Sequence, residues 1–242
     1  MESLTETAVH SSNRDRTLVV MAKAPKPGMV KTRLTPSLPV EAVTEFYRCL
    51  LYDTMALARS LIAVEVAIMC PAPDVEELTR LASDDVDVVA QKGEGLTAAL
   101  TSVFAHFAAG GQRVVAFNSD SPHLPRSVLE DAFETLAEHD VVVGPTDDGG
   151  YYLVGLKASY PALFAGDGMG TSSALERLLS RARGLGLSVG FTELFYDIDV
   201  ADDLLRLAEE LRLAPARAPR TAVWLKQWGD AVAQLGTDTG DL

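Results

Sequence analysis

The sequence predicts a single α/β domain in which helices cover both faces of a mixed, mainly parallel sheet. Short apolar runs alternate along the chain with segments whose apolar residues have helical spacing. Strands that alternate with helices are typical of a parallel sheet buried on both faces. With 242 residues, the chain is long enough to form one large core.

The predicted strands are short apolar runs rich in β-branched residues. The first covers residues 17–22 and ends in a stretch that Pro25 and Gly28 keep out of regular structure. Six further strands are expected, at residues 64–69, 86–90, 113–117, 140–144, 151–156 and 188–191.

The predicted helices each have one apolar face. The first opens after Ser37 and Pro39 and has Val43, Phe46 and Leu50 on that face. Others are expected at 75–81, 96–107, 128–136 and 172–183, and two more follow residue 199. The second of these contains Trp224 and Trp228, whose spacing favours packing in the core or in a dimer over a stacking platform for a ligand.

Composition limits the classes of partner. The net charge of −13 disfavours nucleic acid, and no apolar run approaches the length of a membrane span. The start of the chain lacks the apolar stretch of a signal peptide, and Cys49 and Cys70 have no metal-ligand spacing. We therefore expect a cytoplasmic protein with a domain at 16–235 and disordered tails at 1–15 and 236–242, and we leave a homodimer open.

The loop after the first strand is basic within an acidic protein. Residues 16–40 contain five basic residues and no acidic one, namely Arg16, Lys23, Lys26, Lys31 and Arg33. Cations on a backbone loosened by glycine suit the phosphates of a nucleotide, although the Walker pattern is absent. The alternative is a solvated basic loop.

Asp120 is the candidate metal ligand. It follows the apolar run 114–117 and precedes Ser121 and Pro122, so its carboxylate is expected at the end of a strand. Oxygen donors at that place suit Mg²⁺ or Mn²⁺, which bridge to substrate phosphates. The alternative is a turn-forming aspartate that caps the next helix.

Asp197 and Asp199 are a second pair of candidate ligands. They alternate in the sequence YDID, so in extended backbone only one of them should reach the metal. Asp199 could instead be the N-cap of the next helix, with Asp202 and Asp203 in its first turn.

The turn PTDDGG separates two predicted strands. Gly149 and Gly150 would let backbone approach a ligand, and a simple hairpin with an Asp-Gly turn is the competing explanation. His123, close to Asp120, is a weaker candidate for a ligand contact.

Four ordered motifs, KAPKPGMVKTRL, NSDSPHLP, VVVGPTDDGGYYLVGL and FYDIDVADDL, resemble the bacterial family named radical-SAM/selenodomain-associated glycosyltransferases, within the GT-A-like nucleotide-diphosphosugar transferase superfamily. The chain is more remotely similar to guanylyltransferases that activate 2-phospho-L-lactate. The resemblance covers about residues 17–207. The stretch 166–173 lacks the tryptophan expected there, and QKGEGLTAAL is an imperfect version of the family's helix start.

The resemblance implies a GT-A fold and a role for each matching residue. Catalytic roles fall on Lys31, Arg33 and Asp120, and metal binding on Asp120 with Asp199 or Asp197. Nucleotide contacts are expected at Ala22, Lys23, Ala24, Pro25, Gly28, Lys31 and Ser119. Acceptor contacts are expected at Asp148, Gly149, Gly150 and Tyr151.

Three functions remain as hypotheses. The first is a nucleotidyltransferase that uses Mg²⁺ or Mn²⁺ and passes a nucleoside monophosphate to a small phosphorylated or phosphonylated acceptor. The second is a glycosyltransferase with a nucleoside diphosphate sugar as donor and Asp147 or Asp148 as base. The third is a nucleotide-binding protein without turnover, because fold does not determine function.

Overall fold

Seven strands form one mixed sheet in the computed structural model, which describes residues 15–166 and 170–238. The strands are β1 (Arg16–Met21), β2 (Glu65–Cys70), β3 (Asp87–Ala90), β4 (Arg113–Asn118), β5 (Val141–Pro145), β6 (Tyr151–Leu156) and β7 (Val189–Phe191). Their order is β3-β2-β1-β4-β6-β5-β7. Only β6 runs antiparallel to its neighbours among these strands. The predicted fold class is confirmed.

The described residues also form eight α-helices. They are α1 (Val40–Arg59), α2 (Val75–Leu81), α3 (Gly95–Phe107), α4 (Arg126–Glu138), α5 (Ala174–Gly184), α6 (Ala201–Leu213), α7 (Pro219–Gln227) and α8 (Gly229–Asp238). The prediction of two helices after residue 199 was wrong, since the second is divided into α7 and α8 at Trp228. Gly229, a poor helix former, follows the break.

The sheet is buried on both faces because side chains alternate along each strand. In β1, Leu18 and Val20 pack against the face covered by α1, α2 and α4. Val19 points to the opposite face, which α3 and α5 cover with Leu100, Phe104 and Leu178. The continuous apolar runs of the sequence reflect this burial on both faces.

A third apolar cluster joins α1 to the C-terminal helices. Phe46 of α1 contacts Trp224 of α7 with ring centroids 4.6 Å apart, and Trp228 stacks on Trp224 at 5.8 Å. The backbone N–H groups of Arg220 and Thr221 donate to the buried carboxylate of Asp53, which fixes the start of α7 on α1. Trp224 is therefore a core residue, and α1 packs against the sheet on one side and against α7 on the other.

The strand order reverses between β1 and β4. From β1 the chain continues through β2 and β3 and returns on the other side of β1 as β4. Ligands of open α/β sheets bind in the crevice that such a reversal creates at the carboxyl ends of the strands. Met21 and Asn118, the last residues of β1 and β4, are paired in register, so the loops that follow them both start at this crevice.

Within the described ranges, no helix is both long enough and apolar enough to cross a bilayer. The predicted tail at 1–15 lies outside the described residues except for Asp15, and 239–242 also lie outside them. Residues 236–238 continue α8. The stretch 166–173, noted above for its missing tryptophan, is described except for 167–169.

Candidate active site

Lys31 lies at the end of the loop that follows β1. Its backbone is left-handed, with φ 47° and ψ 40°, and its carbonyl accepts the N–H of Leu34 at the start of a short 3-10 turn, Thr32–Leu34. This conformation is uncommon outside glycine and costs roughly 1 kcal/mol or more. It directs the side chain into the crevice, where only 4% of it is exposed.

The Lys31 ammonium bridges two carboxylates. Its Nζ lies 2.9 Å from Asp120 Oδ2 and 2.9 Å from Asp199 Oδ1. Burial pushes the pKa of Lys31 down, but attraction and hydrogen bonds from Asp120 and Asp199 outweigh burial and raise the pKa above its ordinary value. The structure thus brings together three residues predicted to form the site, and the lysine remains charged.

Asp120 extends from the loop directly after β4. The helix that follows, α4, begins at Arg126 and has Pro125 as its N-cap, so Asp120 does not cap it. The alternative of a helix-capping aspartate is therefore wrong. The carboxylate faces Lys31, and 26% of the side chain is exposed to the crevice.

The segment between β7 and α6 brings the late aspartates to the end of β4. A parallel bridge between Thr146 and Phe195 prolongs the pairing of β5 with β7. Beyond it, Asn118 Nδ2 donates to Asp197 Oδ1 at 2.6 Å, and Ser121 Oγ donates to the same oxygen at 3.3 Å. Asp197 therefore lies beside Asn118, while Asp199 faces Lys31.

Asp199 is not a helix cap. Val200 is the N-cap of α6, and the Asp203 carboxylate accepts the N–H groups of Asp199 and Val200, both at 2.9 Å. The N-cap alternative for Asp199 is therefore wrong. Asp203 performs the capping, which leaves the Asp199 carboxylate free to face the crevice.

The crevice has an excess of negative charge. Burial, and after it the charge of Asp120, raises the pKa of Asp197 to about 7. Burial also raises the pKa of Asp199, but Lys31 and then Arg33 outweigh it and hold the pKa below its usual value. Arg33 is 72% exposed and lies 3.5 Å from Asp199. The buried Lys31 ammonium thus contacts two carboxylates, and Asp197 adds a third acidic group beside them.

A divalent cation fits the chemistry of these donors. Mg²⁺ and Mn²⁺ prefer carboxylate oxygens, and the excess negative charge attracts a cation. In the part of the chain that the structure describes, however, no group of three or more carboxylate, histidine or cysteine side chains is close enough to hold a metal ion. The Lys31 ammonium lies between Asp120 and Asp199, so a cation bound by both carboxylates would displace it.

The predicted basic cluster is smaller than the sequence indicates. Lys26 pairs with Asp74 at 2.5 Å, and the Arg16 guanidinium lies over the ring of Phe133. Lys23 and Arg33 are exposed at the loop surface. The chain's own carboxylates and an aromatic ring therefore engage several of the cations that were assigned to phosphate.

The loop backbone is also largely engaged. The N–H of Ala22 donates to Met69 O, and the N–H of Ala24 donates to Asp74 Oδ2. The side chains of Ala22, Ala24 and Pro25 are buried. Phosphate binding by these two N–H groups would require other contacts to break, whereas Gly28, with φ +71° and open space around it, is accessible.

Ser119 is buried, and protein atoms surround its hydroxyl. Its Oγ lies 3.0 Å from Tyr47 Oη and donates to Asp120 Oδ1 at 3.3 Å. Its carbonyl accepts the hydroxyl of Thr54. The predicted contact between this side chain and a nucleotide would require these bonds to open.

The PTDDGG turn joins β5 and β6 as a hairpin, which was the competing explanation for its two glycines. Gly149 has φ +87°, and a Cβ there would lie 2.1 Å from the carbonyl oxygen of Ser172. The exposed Asp148 accepts the N–H of Gly150. Tyr151 is half-buried, and burial raises the pKa of its hydroxyl. Contact of these four residues with an acceptor stays a prediction.

His123 does not contact the crevice. It is fully buried, its ring packs 4.6 Å from that of Tyr196, and neither ring nitrogen has a hydrogen-bond partner in the described structure. Burial, together with Arg206 and Arg217, lowers the pKa of His123 to about 4. The expectation of a ligand contact was wrong.

Three residues of the site escaped the sequence analysis, namely Tyr47, Asp74 and Asn118. Asn118 directly precedes the predicted Ser119 and Asp120, so its place at the end of a strand was a usable signal. Tyr47 and Asp74 belong to helical segments whose apolar pattern gives no reason to single them out.

Comparison with known proteins identifies relatives of this chain. Residues 54–171 match the model of a family described as "Uncharacterized protein conserved in bacteria (DUF2064)". The chain is 30% identical over 179 residues to 2-phospho-L-lactate guanylyltransferase from Methanothermobacter thermautotrophicus, an alignment that covers 72% of this chain and 76% of the relative.

Solved structures share the fold. A putative nucleotide-diphospho-sugar transferase from Desulfovibrio desulfuricans G20 superposes with a TM-score of 0.84 at 25% identity, over 91% of this chain and 98% of the other. A Mycobacterium tuberculosis protein solved in complex with manganese has a TM-score of 0.55 at 20% identity, over 81% and 98% of the two chains. The second likeness concerns the fold alone.

Proposed function

We propose that this chain transfers a nucleoside monophosphate from a nucleoside triphosphate to a small phosphorylated or phosphonylated acceptor. The chain belongs to the DUF2064 family and is a transferase homologous to 2-phospho-L-lactate guanylyltransferase. An oxygen of the acceptor attacks the α-phosphorus. The bond from that phosphorus to the oxygen bridging to the β-phosphate breaks, and pyrophosphate leaves.

The main support is the meeting of Lys31 and Asp120 at the crevice between β1 and β4. Nucleotidyl transfer needs positive charge on the leaving pyrophosphate and reactants held in line, and it needs no protein nucleophile. Lys31 supplies a permanent cation on the side of the first loop. Arg33, exposed two residues later, supplies a second.

Asp120 and Asp199 are the residues that would hold Mg²⁺ or Mn²⁺, with Asp197 beside them. Such an ion, when bound, would neutralise charge on the phosphates of the nucleotide. Lys31 would then exchange its two carboxylate partners for phosphate oxygens. Asn118 and Ser121 keep Asp197 oriented during this exchange through hydrogen bonds to its Oδ1.

Guanosine triphosphate is the first nucleotide to test, since the homologous enzyme is a guanylyltransferase. Transfer from a nucleoside diphosphate sugar is the second candidate. It is favoured by the likeness to the Desulfovibrio protein, whose description is a putative nucleotide-diphospho-sugar transferase.

Two measurements on the purified chain distinguish these functions. Thermal unfolding with Mg²⁺ or Mn²⁺ is compared across GTP, ATP, CTP, UTP and the UDP- and GDP-sugars, because a ligand that binds only the folded state raises Tm. Release of pyrophosphate is then assayed with small phosphorylated acids as acceptors. Stabilisation by a triphosphate with acceptor-dependent pyrophosphate release supports the proposal, whereas stabilisation by sugar nucleotides alone contradicts it.

A further inference from the structure

A chain of hydrogen bonds joins the loop after β1 to the carboxylate of Asp120. The N–H of Lys23 lies 3.1 Å from Tyr47 Oη, and Tyr47 Oη lies 3.0 Å from Ser119 Oγ. Ser119 Oγ in turn lies 3.3 Å from Asp120 Oδ1. Tyr47 belongs to α1 and is buried, with 4% of its surface exposed.

The direction of the hydrogen bonds follows from the protons available. An N–H can only donate and a carboxylate only accepts, so both ends of the chain are determined. The Lys23 N–H donates to Tyr47, and the Ser119 hydroxyl donates to Asp120. The Tyr47 hydroxyl has two acceptors within reach, Ser119 Oγ at 3.0 Å and the Lys23 carbonyl at 3.3 Å. Because Ser119 uses its own proton on Asp120, we assign the Tyr47 proton to Ser119, the nearer of the two acceptors. Burial, and after it the charge of Asp120, raises the pKa of Tyr47 to about 12, so its hydroxyl keeps the proton that this arrangement needs.

The chain orients Asp120. Its Oδ1 is held by Ser119 while its Oδ2 is held by Lys31, so one oxygen is fixed from the core and the other faces the crevice. Two turns further along α1, Thr54 Oγ1 donates to the carbonyl of Ser119 at 3.2 Å. Helix α1 therefore fastens the loop after β4 at two points.

We propose that Tyr47 is a positioning residue, which acts through Ser119 to hold the Asp120 carboxylate for a divalent cation and the Lys23 backbone for the nucleotide. This inference rests on the proposed function and extends it to a residue outside the crevice. Groups that hydrogen-bond a metal ligand set its orientation, and their loss typically weakens metal binding about tenfold to a hundredfold.

The test is a double-mutant cycle read out by binding. Mn²⁺ alone is titrated and followed by electron paramagnetic resonance, and GTP is titrated at saturating Mn²⁺ by calorimetry. The variants are Tyr47→Phe, Ser119→Ala and the combination of both. Tyr52→Phe is the matched control, because Tyr52 lies on the same helix and its ring faces the Arg220 guanidinium instead of the crevice.

We expect Tyr47→Phe and Ser119→Ala each to weaken binding of Mn²⁺ about tenfold. The double variant should weaken Mn²⁺ binding no more than either single variant, because each single substitution already breaks the same chain of hydrogen bonds. Tyr47→Phe should also weaken binding of GTP, and Tyr52→Phe should change neither affinity.

Unchanged Mn²⁺ affinity in Tyr47→Phe, or full additivity with Ser119→Ala, overturns the inference. Weaker binding of both ligands by monodisperse Tyr47→Phe supports it, provided that metal-free Tyr47→Phe and Tyr52→Phe have similar urea transitions. Misfolding does not then explain the loss of affinity. Failure of the unmodified protein to bind Mn²⁺ and GTP overturns the proposed function as well, so the two failures are distinguishable.

Discussion

Lys31 Nζ lies 2.9 Å from Asp120 Oδ2, so the cation of the first loop and the carboxylate after β4 occupy one crevice. Both were assigned to a phosphate-binding site from sequence, and their separation in space would have excluded that site. The same ammonium also contacts Asp199, so in this structure Lys31 occupies the position between two candidate metal ligands.

Replacing Lys31 by methionine should therefore have opposite effects on the two ligands. We expect Mn²⁺ alone to bind at least about tenfold more tightly, since a unit positive charge within about 4 Å opposes a cation by a few kcal/mol near a protein surface. GTP at saturating Mn²⁺ should bind about tenfold more weakly, because phosphate loses its buried cation. Calorimetry measures both constants.

Lys226→Met, which removes an exposed lysine from the last turn of α7, is the control for Lys31→Met. The metal-free Lys31→Met protein should also have a lower Tm, and Mn²⁺ should restore it, because Asp120 and Asp199 then regain a cationic partner. Weaker binding of Mn²⁺ by Lys31→Met would contradict the exchange of partners.

Asp120→Asn should abolish metal-dependent turnover while the protein remains folded. The amide keeps the size of the side chain but removes the charge, and we expect a loss of activity of about 100-fold or more. Because Lys31 keeps Asp199 as a partner, the free energy of unfolding should fall by no more than about 1–3 kcal/mol. Pyrophosphate release and urea unfolding measure these quantities.

Asp202→Asn is the matched control for Asp120→Asn, since Asp202 is exposed in the first turn of α6 and close in sequence to Asp199. Its activity should equal that of the unmodified protein. Full activity in Asp120→Asn would remove this residue from the site.

His123 should make the stability depend on pH. Above about pH 6.5 an imidazole is neutral in both the folded and the unfolded chain and has no effect. As the pH falls, the unfolded chain binds a proton, whereas burial keeps the folded pKa at about 4. The free energy of unfolding should therefore fall between about pH 6.5 and 4, by up to about 1.4 kcal/mol per pH unit.

His123→Leu should lack this component. Urea unfolding at several pH values gives the free energy of unfolding of both proteins. The difference between the two values removes the pH dependence that comes from the carboxylates they share. The variant should gain stability relative to the unmodified protein as the pH falls. A difference that stays constant with pH would show that the imidazole is protonated in the folded state as readily as in the unfolded one.

Gly149→Ala should destabilise the hairpin end of the site. The residue has φ +87°, and a Cβ there would lie 2.1 Å from the Ser172 carbonyl oxygen. We expect the free energy of unfolding to fall by about 2–4 kcal/mol. Gly184→Ala, at the end of α5 with nothing within 4 Å of the added Cβ, should change it by no more than about 1 kcal/mol. Equal transitions in urea for both variants would contradict this close approach.

The sheet was predictable because strands that are buried on both faces are continuous apolar runs in the sequence. Residues 18–21 of β1 are all apolar, and the side chains of Leu18, Val19 and Val20 are fully buried. The division of α7 from α8 was not predictable, since Trp224 and Trp228 keep helical spacing across the break. Spacing alone does not reveal where a helix ends.

The charged residues of the site were predictable, but their partners were not. The basic loop and the aspartates stand out in the sequence, whereas the pairing of Lys26 with Asp74 depends on how the chain returns after β2. The contribution of Tyr47 depends on one hydroxyl on the inner face of a helix, where the sequence shows an aromatic residue in an apolar pattern. Long-range contacts of single polar atoms leave no periodic signal.

The position of a bound cation tests the proposed metal site most directly. Crystals grown with Mn²⁺ and GTP are measured near the manganese absorption edge, and the anomalous difference map locates the ion. We expect a peak about 2.0–2.3 Å from a carboxylate oxygen of Asp120 and of Asp199 or Asp197, with Lys31 turned to the phosphates. An ion bound elsewhere, with Lys31 still bridging Asp120 and Asp199 beside a bound nucleotide, would contradict it.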